Sequence, residues 1–285
     1  MIRLLALDLD GTLLTGDKSL PPRVADAVEA AARAGIRVVL VTGRRYPSAR
    51  TFADRLTGLS ALAVHTGALV FEREERLRCL PLSQQAARAA LAVGRERGAA
   101  SLVHCGQRGE GWLLVDRETL TSAPARRYVE ATAPKPRVVA DLTAFDEDPV
   151  QVMFAGESDA MESLAGALSK RLDGSARVEM TLYPGLGIGF LDVLNPRAGK
   201  AEALRFLGQR WGIGTGAMAA VGDNWNDREM LQSVGLGLVM GNAEPRLKAL
   251  GLPILPSNED CGVAEAISGY VLPRASEGGS ERERG

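Results

Sequence analysis

The sequence predicts an α/β fold: a doubly wound, Rossmann-like parallel-sheet core interrupted by an inserted α+β domain. Three observations carry this. Short apolar runs alternate with amphipathic helical patterns over residues 1–64. Over 82–194 the pattern changes to closely spaced strand candidates with turn residues between them. After residue 195 the strand and helix alternation returns.

Residues 2–7 form a short apolar run, interrupted only by Arg3, which suits a strand buried on both faces of a parallel sheet. Pro21-Pro22 opens a helix that carries Ala25, Val28 and Ala32 on one side and closes at Gly35. The next strand spans 36–41, a helix follows over 47–56 and ends at Gly58, and a third strand spans 61–64. Strands joined by helical crossovers must run parallel. In the middle block a helix over 83–97 precedes strands at 101–105 and 112–116, whose glycine-rich link at 106–111 predicts an antiparallel hairpin. Further strands are expected at 137–142, 150–155, 177–182 and 189–194, with a helix over 159–172. After Pro196 a helix over 198–211 places Leu204, Leu207 and Trp211 on one face. Strands at 217–221 and 236–240 and helices at 226–234, 243–250 and 263–270 complete the core. The expected domains are a core of 1–81 plus 195–272, an inserted domain of 82–194 and a charged, Gly/Ser-rich flexible tail at 273–285. No internal repeat is present.

Composition excludes several function classes. The 285 residues carry 34 basic and 35 acidic side chains, a net charge of -1, and no window is strongly basic, so no nucleic-acid partner is expected. The longest apolar run, 35–42, is short and broken by Arg37, so no membrane partner is expected either. Asp8 and Asp10 follow the start at once with no apolar signal segment, and the expected location is cytoplasmic. Cys79, Cys105 and Cys261 are isolated and read as reduced thiols rather than a disulfide framework or zinc site. His65 and His104 lie far apart, so any metal should be held by oxygen. Oligomeric state is left open.

The strongest chemical signal is Asp8-Leu9-Asp10-Gly11-Thr12-Leu13-Leu14, directly after the first strand. Residues two apart in an extended chain face the same way, so both carboxylates point together at the carboxyl end of a parallel strand, where open α/β sheets bind ligands. A capping pair before Gly11 is the plain alternative, but two buried like charges without a partner are costly and favour a bound cation or a shared proton. Val41-Thr42-Gly43-Arg44 ends the second strand with a hydroxyl and a glycine that frees backbone N–H groups; alone it reads equally well as a helix cap. Lys200, one of five lysines, opens the helix that returns from the insert. Gly222-Asp223-Asn224-Trp225-Asn226-Asp227 ends another strand, and Asp223 and Asp227 share one helical face. Each motif is weak alone; carboxylate pair, Thr, Lys and carboxylate pair in that order are not explained by caps.

In combination these motifs resemble the haloacid dehalogenase superfamily, and within it the Cof-type sugar-phosphatase-like branch with a large inserted α/β cap. The likeness covers nearly the whole chain and includes V-M-G-N-A at 239–243 and S-N-E-D-C-G-V-A at 257–264. It implies a Mg²⁺-dependent phosphatase acting on a small phosphorylated metabolite, with a sugar phosphate favoured, through an aspartyl phosphate. By that resemblance Asp8 is the nucleophile, and Asp10 protonates the leaving alcohol and then deprotonates water. Thr42, Gly43 and Lys200 grip the phosphoryl group with Asn226 nearby. Asp8, the Asp10 backbone carbonyl and Asp223 bind Mg²⁺, with Asp227 behind them. One departure stands out: relatives commonly carry an Asn-Gly-Ala turn after the third strand, and here it is His65-Thr66-Gly67-Ala68. The glycine turn is kept, the asparagine is not, and His65 is expected to be a hydrogen-bonded structural residue.

Two alternatives stay open at this stage. A phosphomutase or phosphotransferase would use the same aspartyl phosphate and return the group to a sugar. A phosphorylatable signalling module, similar to a receiver domain, also combines acidic residues, a Thr and a Lys, but has no use for a hundred-residue insert or a second Asp two places on. The insert joins the core near Pro81 and Asn195-Pro196, which predicts a lid moving as a rigid body. With aromatics at 5% of the chain, a small polar sugar or polyol phosphate is favoured over a nucleotide or phosphoprotein.

Overall fold

The computed structural model describes residues 1–106, 112–132 and 135–276. Most of the expected glycine-rich link and of the expected flexible tail, 107–111 and 277–285, lies outside the described residues. The chain divides into two compact units: Met1–Gly43, Ala49–Leu77 and Gly199–Gly285 form the first, Arg44–Ser48 and Arg78–Ala198 the second. In chain order the strands are β1 (Leu4–Leu7), β2 (Arg37–Val41), β3 (Leu59–Val64), β4 (Leu69–Glu72), β5 (Glu75–Cys79), β6 (Ala100–Cys105), β7 (Trp112–Val115), β8 (Arg137–Val138), β9 (Gln151–Glu157), β10 (Arg177–Tyr183), β11 (Ile188–Leu194), β12 (Met218–Gly222) and β13 (Leu236–Val239).

A seven-stranded sheet of order β13-β12-β1-β2-β3-β4-β5 organises the first unit. The first five strands of that order run parallel, and β4 pairs antiparallel with β3. Strand β1 is central because all four of its residues are apolar and can be covered on both faces; Leu4, Leu5, Ala6 and Leu7 are fully buried. Burying a leucine side chain stabilises by about 1.5–3 kcal/mol, so this strand anchors the sheet. Leu4 and Ala6 share a core with Leu204 and Leu207 of the helix Lys200–Trp211, and with Met230 and Leu231. The helix Pro22–Arg33 starts with proline in its first turn, where no N–H partner is lost, and buries Val24, Val28 and Ala31 at helical spacing. The register sets Leu7 beside Val221 and Leu40, so β1, β2 and β12 all deliver their next residues to one edge.

The second unit is built on a six-stranded sheet of order β10-β11-β9-β6-β7-β8. Its pairs are antiparallel except β7 with β8. The helices Gln84–Glu96 and Ser158–Leu172 cover one face through Ala90, Leu91, Leu164 and Leu168, packed around Phe154. The helix Ala123–Glu130 lies on the other face, where Ala125 meets Leu102, Leu113 and Met153. The expected hairpin is present as β6 paired with β7. Among the described residues no helix is long and apolar enough to cross a membrane.

Several local expectations need correction. The strand expected over 137–142 is only Arg137–Val138, because Asp141 turns the chain by accepting from the Thr143 N–H at 2.9 Å. The helix expected over 226–234 is a 3₁₀ turn, Trp225–Asp227, followed by Arg228–Gln232; the reciprocal cap of Asn224 and Asp227 tightens that start. The helix expected over 243–250 is confined to Pro245–Lys248, and Gly262–Ala266 runs into a π-helical stretch, Ile267–Val271. Strands β4 and β5 and the helix Ala123–Glu130 were not expected.

Candidate active site

Asp8, 5% exposed, follows β1 and donates its N–H to the Val221 carbonyl at 3.1 Å, which ties it to the end of β12. Asp223 follows β12. Lys200 stands at the start of its helix, buried, and its Nζ donates to Asp8 Oδ1 at 2.7 Å, Asp227 Oδ1 at 2.6 Å and Asn226 Oδ1 at 3.3 Å. The other oxygen of Asp227 accepts from the N–H groups of Asp223 and Asn224, both at 3.1 Å. Both Asp227 oxygens are therefore engaged by protein donors. Asp8, Lys200, Asp223, Asn226 and Asp227 thus form one cluster, assembled from three segments of the chain.

The charge balance in that cluster is negative. Carboxylate oxygens of Asp8, Asp223 and Asp227 lie within 4.8 Å of one another, against one ammonium. Burial pushes the Asp8 carboxyl from 3.8 up to about 7; Lys200 opposes the rise, while Asp227 and Asp10 add to it. Asp223 is also raised well above the usual carboxylate range, by burial first and then by Asp8 and Asp227. Burial works against the Lys200 charge, but Asp227 and Asp8 outweigh it and hold the ammonium protonated. A hard divalent cation taking oxygen ligands relieves this imbalance, and the buried, clustered carboxylates fit one. Asp8 and Asp223 could serve as direct ligands, whereas both oxygens of Asp227 already accept from protein donors.

The remaining expected residues lie on the same unit. Thr42, 1% exposed, donates its N–H to the Ala63 carbonyl at 2.9 Å and accepts at its own carbonyl from the Thr66 N–H at 3.0 Å. Gly43 follows it beside the Thr66 side chain. The Asp10 carboxylate bonds Lys18 Nζ at 2.9 Å, and its electrostatic influence reaches Asp8. His65 is 2% exposed and its carbonyl accepts from the Ala68 N–H at 3.0 Å.

Sequence reasoning missed the residues that brace this site. Thr12 Oγ1 donates to Asp223 Oδ1 at 3.0 Å, fixing one oxygen of that carboxylate. Gly11 has φ 77°, and a Cβ there would collide with Asp223 Oδ2, so only glycine lets the two segments approach. Asn242 Nδ2 donates to the Gly11 carbonyl and Asn258 Nδ2 to the Leu14 carbonyl, each at 2.8 Å. The only advance signal for these two asparagines was their place in the quoted segments 239–243 and 257–264.

A parallel α/β sheet that gathers aspartates and a lysine at the carboxyl edge of its strands has its candidate site where open α/β sheets bind ligands. The chain belongs to the haloacid dehalogenase-like hydrolases, whose sequence profile matches residues 5–267, and relatives of it are named as phosphatases. It is 31% identical over 273 residues to an HMP-PP phosphatase of Cronobacter sakazakii, covering 95% of each chain. Among solved structures it resembles SMU.1108c from Streptococcus mutans UA159, with TM-score 0.81, 21% identity, and 95% of this chain and 100% of that chain covered. It also resembles the subclass IIB sugar phosphatase BT4131, with TM-score 0.77, 20% identity, and coverage of 94% and 98%. At those identities the two structures speak for the fold, which is the α/β architecture with a cap domain expected from the sequence.

Proposed function

We propose that the first unit hydrolyses a small phosphomonoester, with a sugar phosphate favoured, by two displacements at phosphorus. The observation that carries this reading is the buried cluster in which Lys200 bridges Asp8 and Asp227 while Asp223 stands beside them. In the first displacement an Asp8 carboxylate oxygen forms a bond to phosphorus as the bond to the alcohol oxygen breaks, and Asp10 gives that oxygen its proton. In the second, water attacks phosphorus, Asp10 takes the proton, and Asp8 is released with inorganic phosphate. Lys200, the Thr42 hydroxyl and the Gly43 N–H orient the phosphoryl group and offset its charge in transfer, with Asn226 fixing the ammonium. Asp8, the Asp10 carbonyl and Asp223 would hold Mg²⁺, with Asp227 bracing Lys200 and the 223–224 backbone. When bound, the ion supplies the positive charge that keeps Asp8 ionised and lets a phosphate dianion approach carboxylates.

The preference for a sugar or polyol phosphate rests on the few aromatics of the chain and on the named activity of BT4131. The named activity of the Cronobacter relative supports a second reading, HMP-PP as substrate. Phosphate release with Mg²⁺ should be compared across hexose phosphates, HMP-PP, nucleoside monophosphates, pyridoxal phosphate and a phosphopeptide. A hexose or polyol phosphate leading the series supports the first reading and HMP-PP the second. A nucleotide or phosphopeptide leading by more than about tenfold, about 1.4 kcal/mol of discrimination, overturns both. Transfer to a second sugar without phosphate release would mark a mutase.

A further inference from the structure

After β3 the chain reverses through His65, Thr66 and Gly67, and all three adopt the left-handed region, with φ of 49°, 54° and 84°. Glycine enters that region freely, whereas a β-branched threonine there is an outlier that its surroundings must enforce. Those surroundings are the two segments that carry Thr42 and Lys200. The Thr66 N–H donates to the Thr42 carbonyl at 3.0 Å. Gly67 lies so close to Gly199, the residue before Lys200, that a Cβ on it would collide with the Gly199 carbonyl oxygen. The Thr42 carbonyl and the Gly43 N–H belong to one trans peptide and point in opposite directions. Anchoring the carbonyl on Thr66 therefore fixes where the Gly43 N–H points.

The Thr66 side chain supplies an independent observation. The residue is 1% exposed, and its Oγ1 is a buried hydroxyl with no hydrogen-bond partner. It is also the nearest heavy atom, at 3.6 Å, to the position a Cβ would take on Gly43. A buried hydroxyl left unpaired is unfavourable, and such groups persist where function needs them. We propose that Thr66 is a phosphate-binding residue: its left-handed turn sets the Thr42–Gly43 peptide, and its hydroxyl finds its hydrogen-bond partner when that turn holds a tetrahedral oxyanion. This rests on the reading that Thr42 and Lys200 grip the phosphoryl group.

The test measures inhibition by inorganic phosphate of aryl phosphate hydrolysis, together with thermal unfolding, in Thr66→Val and Thr66→Ser. Valine keeps the branch and drops the hydroxyl; serine keeps the hydroxyl. Thr66→Val is expected to raise the phosphate inhibition constant and KM about tenfold, with kcat changed less than about threefold and no loss of Tm, as befits a donor serving an anion. Thr66→Ser is expected to stay within about twofold of wild type on the same scale. Wild-type phosphate affinity in Thr66→Val, or an equal loss in Thr66→Ser, overturns the proposal. If the valine variant does not fold, Thr66→Ala takes its place against serine with the same two outcomes. Thr42→Val separates the two layers: if it leaves phosphate affinity unchanged, the phosphoryl-site reading fails. If it weakens phosphate binding while Thr66→Val does not, only the Thr66 inference fails.

Discussion

Replacing Asp8 by asparagine should abolish turnover and yet stabilise the metal-free protein above neutral pH. Asp8 is 5% exposed, and burial raises its carboxyl from 3.8 to about 7. A group raised in the folded state holds a proton that the unfolded chain releases. Its contribution to stability is therefore fully present below pH 4 and is lost as pH rises through about 7. A shift of roughly 3 units at about 1.4 kcal/mol each puts that loss near 4 kcal/mol at most. The amide removes the loss but gives Lys200 a weaker partner than a carboxylate, so a net gain of about 1–3 kcal/mol at pH 8 remains. For a chain of this length that is roughly 2–10 °C in Tm. The assay is thermal unfolding of wild type and Asp8→Asn in excess chelator from pH 4 to 8. The difference should be small or reversed at pH 4 and grow as the pH rises. Added Mg²⁺ should then raise the wild-type Tm and narrow the gap. A variant less stable than wild type at pH 8, or a difference independent of pH, would refute the reasoning about buried charge, and phosphatase activity within about tenfold of wild type would sink the nucleophile, whose loss should cost far more.

Chelation should abolish activity and Mg²⁺ restore it. Asp223→Ala should raise the Mg²⁺ concentration for half activity by about tenfold or more, read from a metal titration, because a direct carboxylate ligand is lost; an unchanged midpoint would exclude it as a ligand. Asp10→Asn should lose about 10²–10⁴-fold on an alkyl phosphate and much less on an activated aryl phosphate, whose leaving group needs little protonation. Single-turnover kinetics on both substrates separate the two displacements, and equal losses in the first would remove Asp10 as the acid.

The core was legible where burial is total. The run in β1 is apolar throughout and that in β2 is apolar after its exposed first residue, Arg37, so both strands and the helix between them could be read directly. Strand β5 hid because its sequence, ERLRC, carries three charges on a partly exposed edge, and the helix Ala123–Glu130 hid because Ala125 is its one buried residue. In the site, Asp8, Thr42 and Asp223 were legible because each follows a buried strand, the position where α/β sheets collect ligands. Their braces were not. The Thr12 to Asp223, Asn242 to Gly11 and Asn258 to Leu14 bonds join residues 211, 231 and 244 positions apart, and local periodicity holds no trace of such pairings. Nor could the sequence show that Lys18, which adopts a left-handed φ of 65°, would meet Asp10.

The most direct test of the central claim is to trap the phosphorylated protein. Enzyme mixed with excess aryl phosphate and Mg²⁺ is quenched in acid within one turnover and reduced with borohydride, which converts an acyl phosphate on aspartate to homoserine, and the peptides are then analysed by mass spectrometry. The account expects the conversion at residue 8 alone, and its absence in Asp8→Asn. Conversion or phosphate at another residue, or substrate consumed within that turnover with Asp8 unmodified, would contradict it.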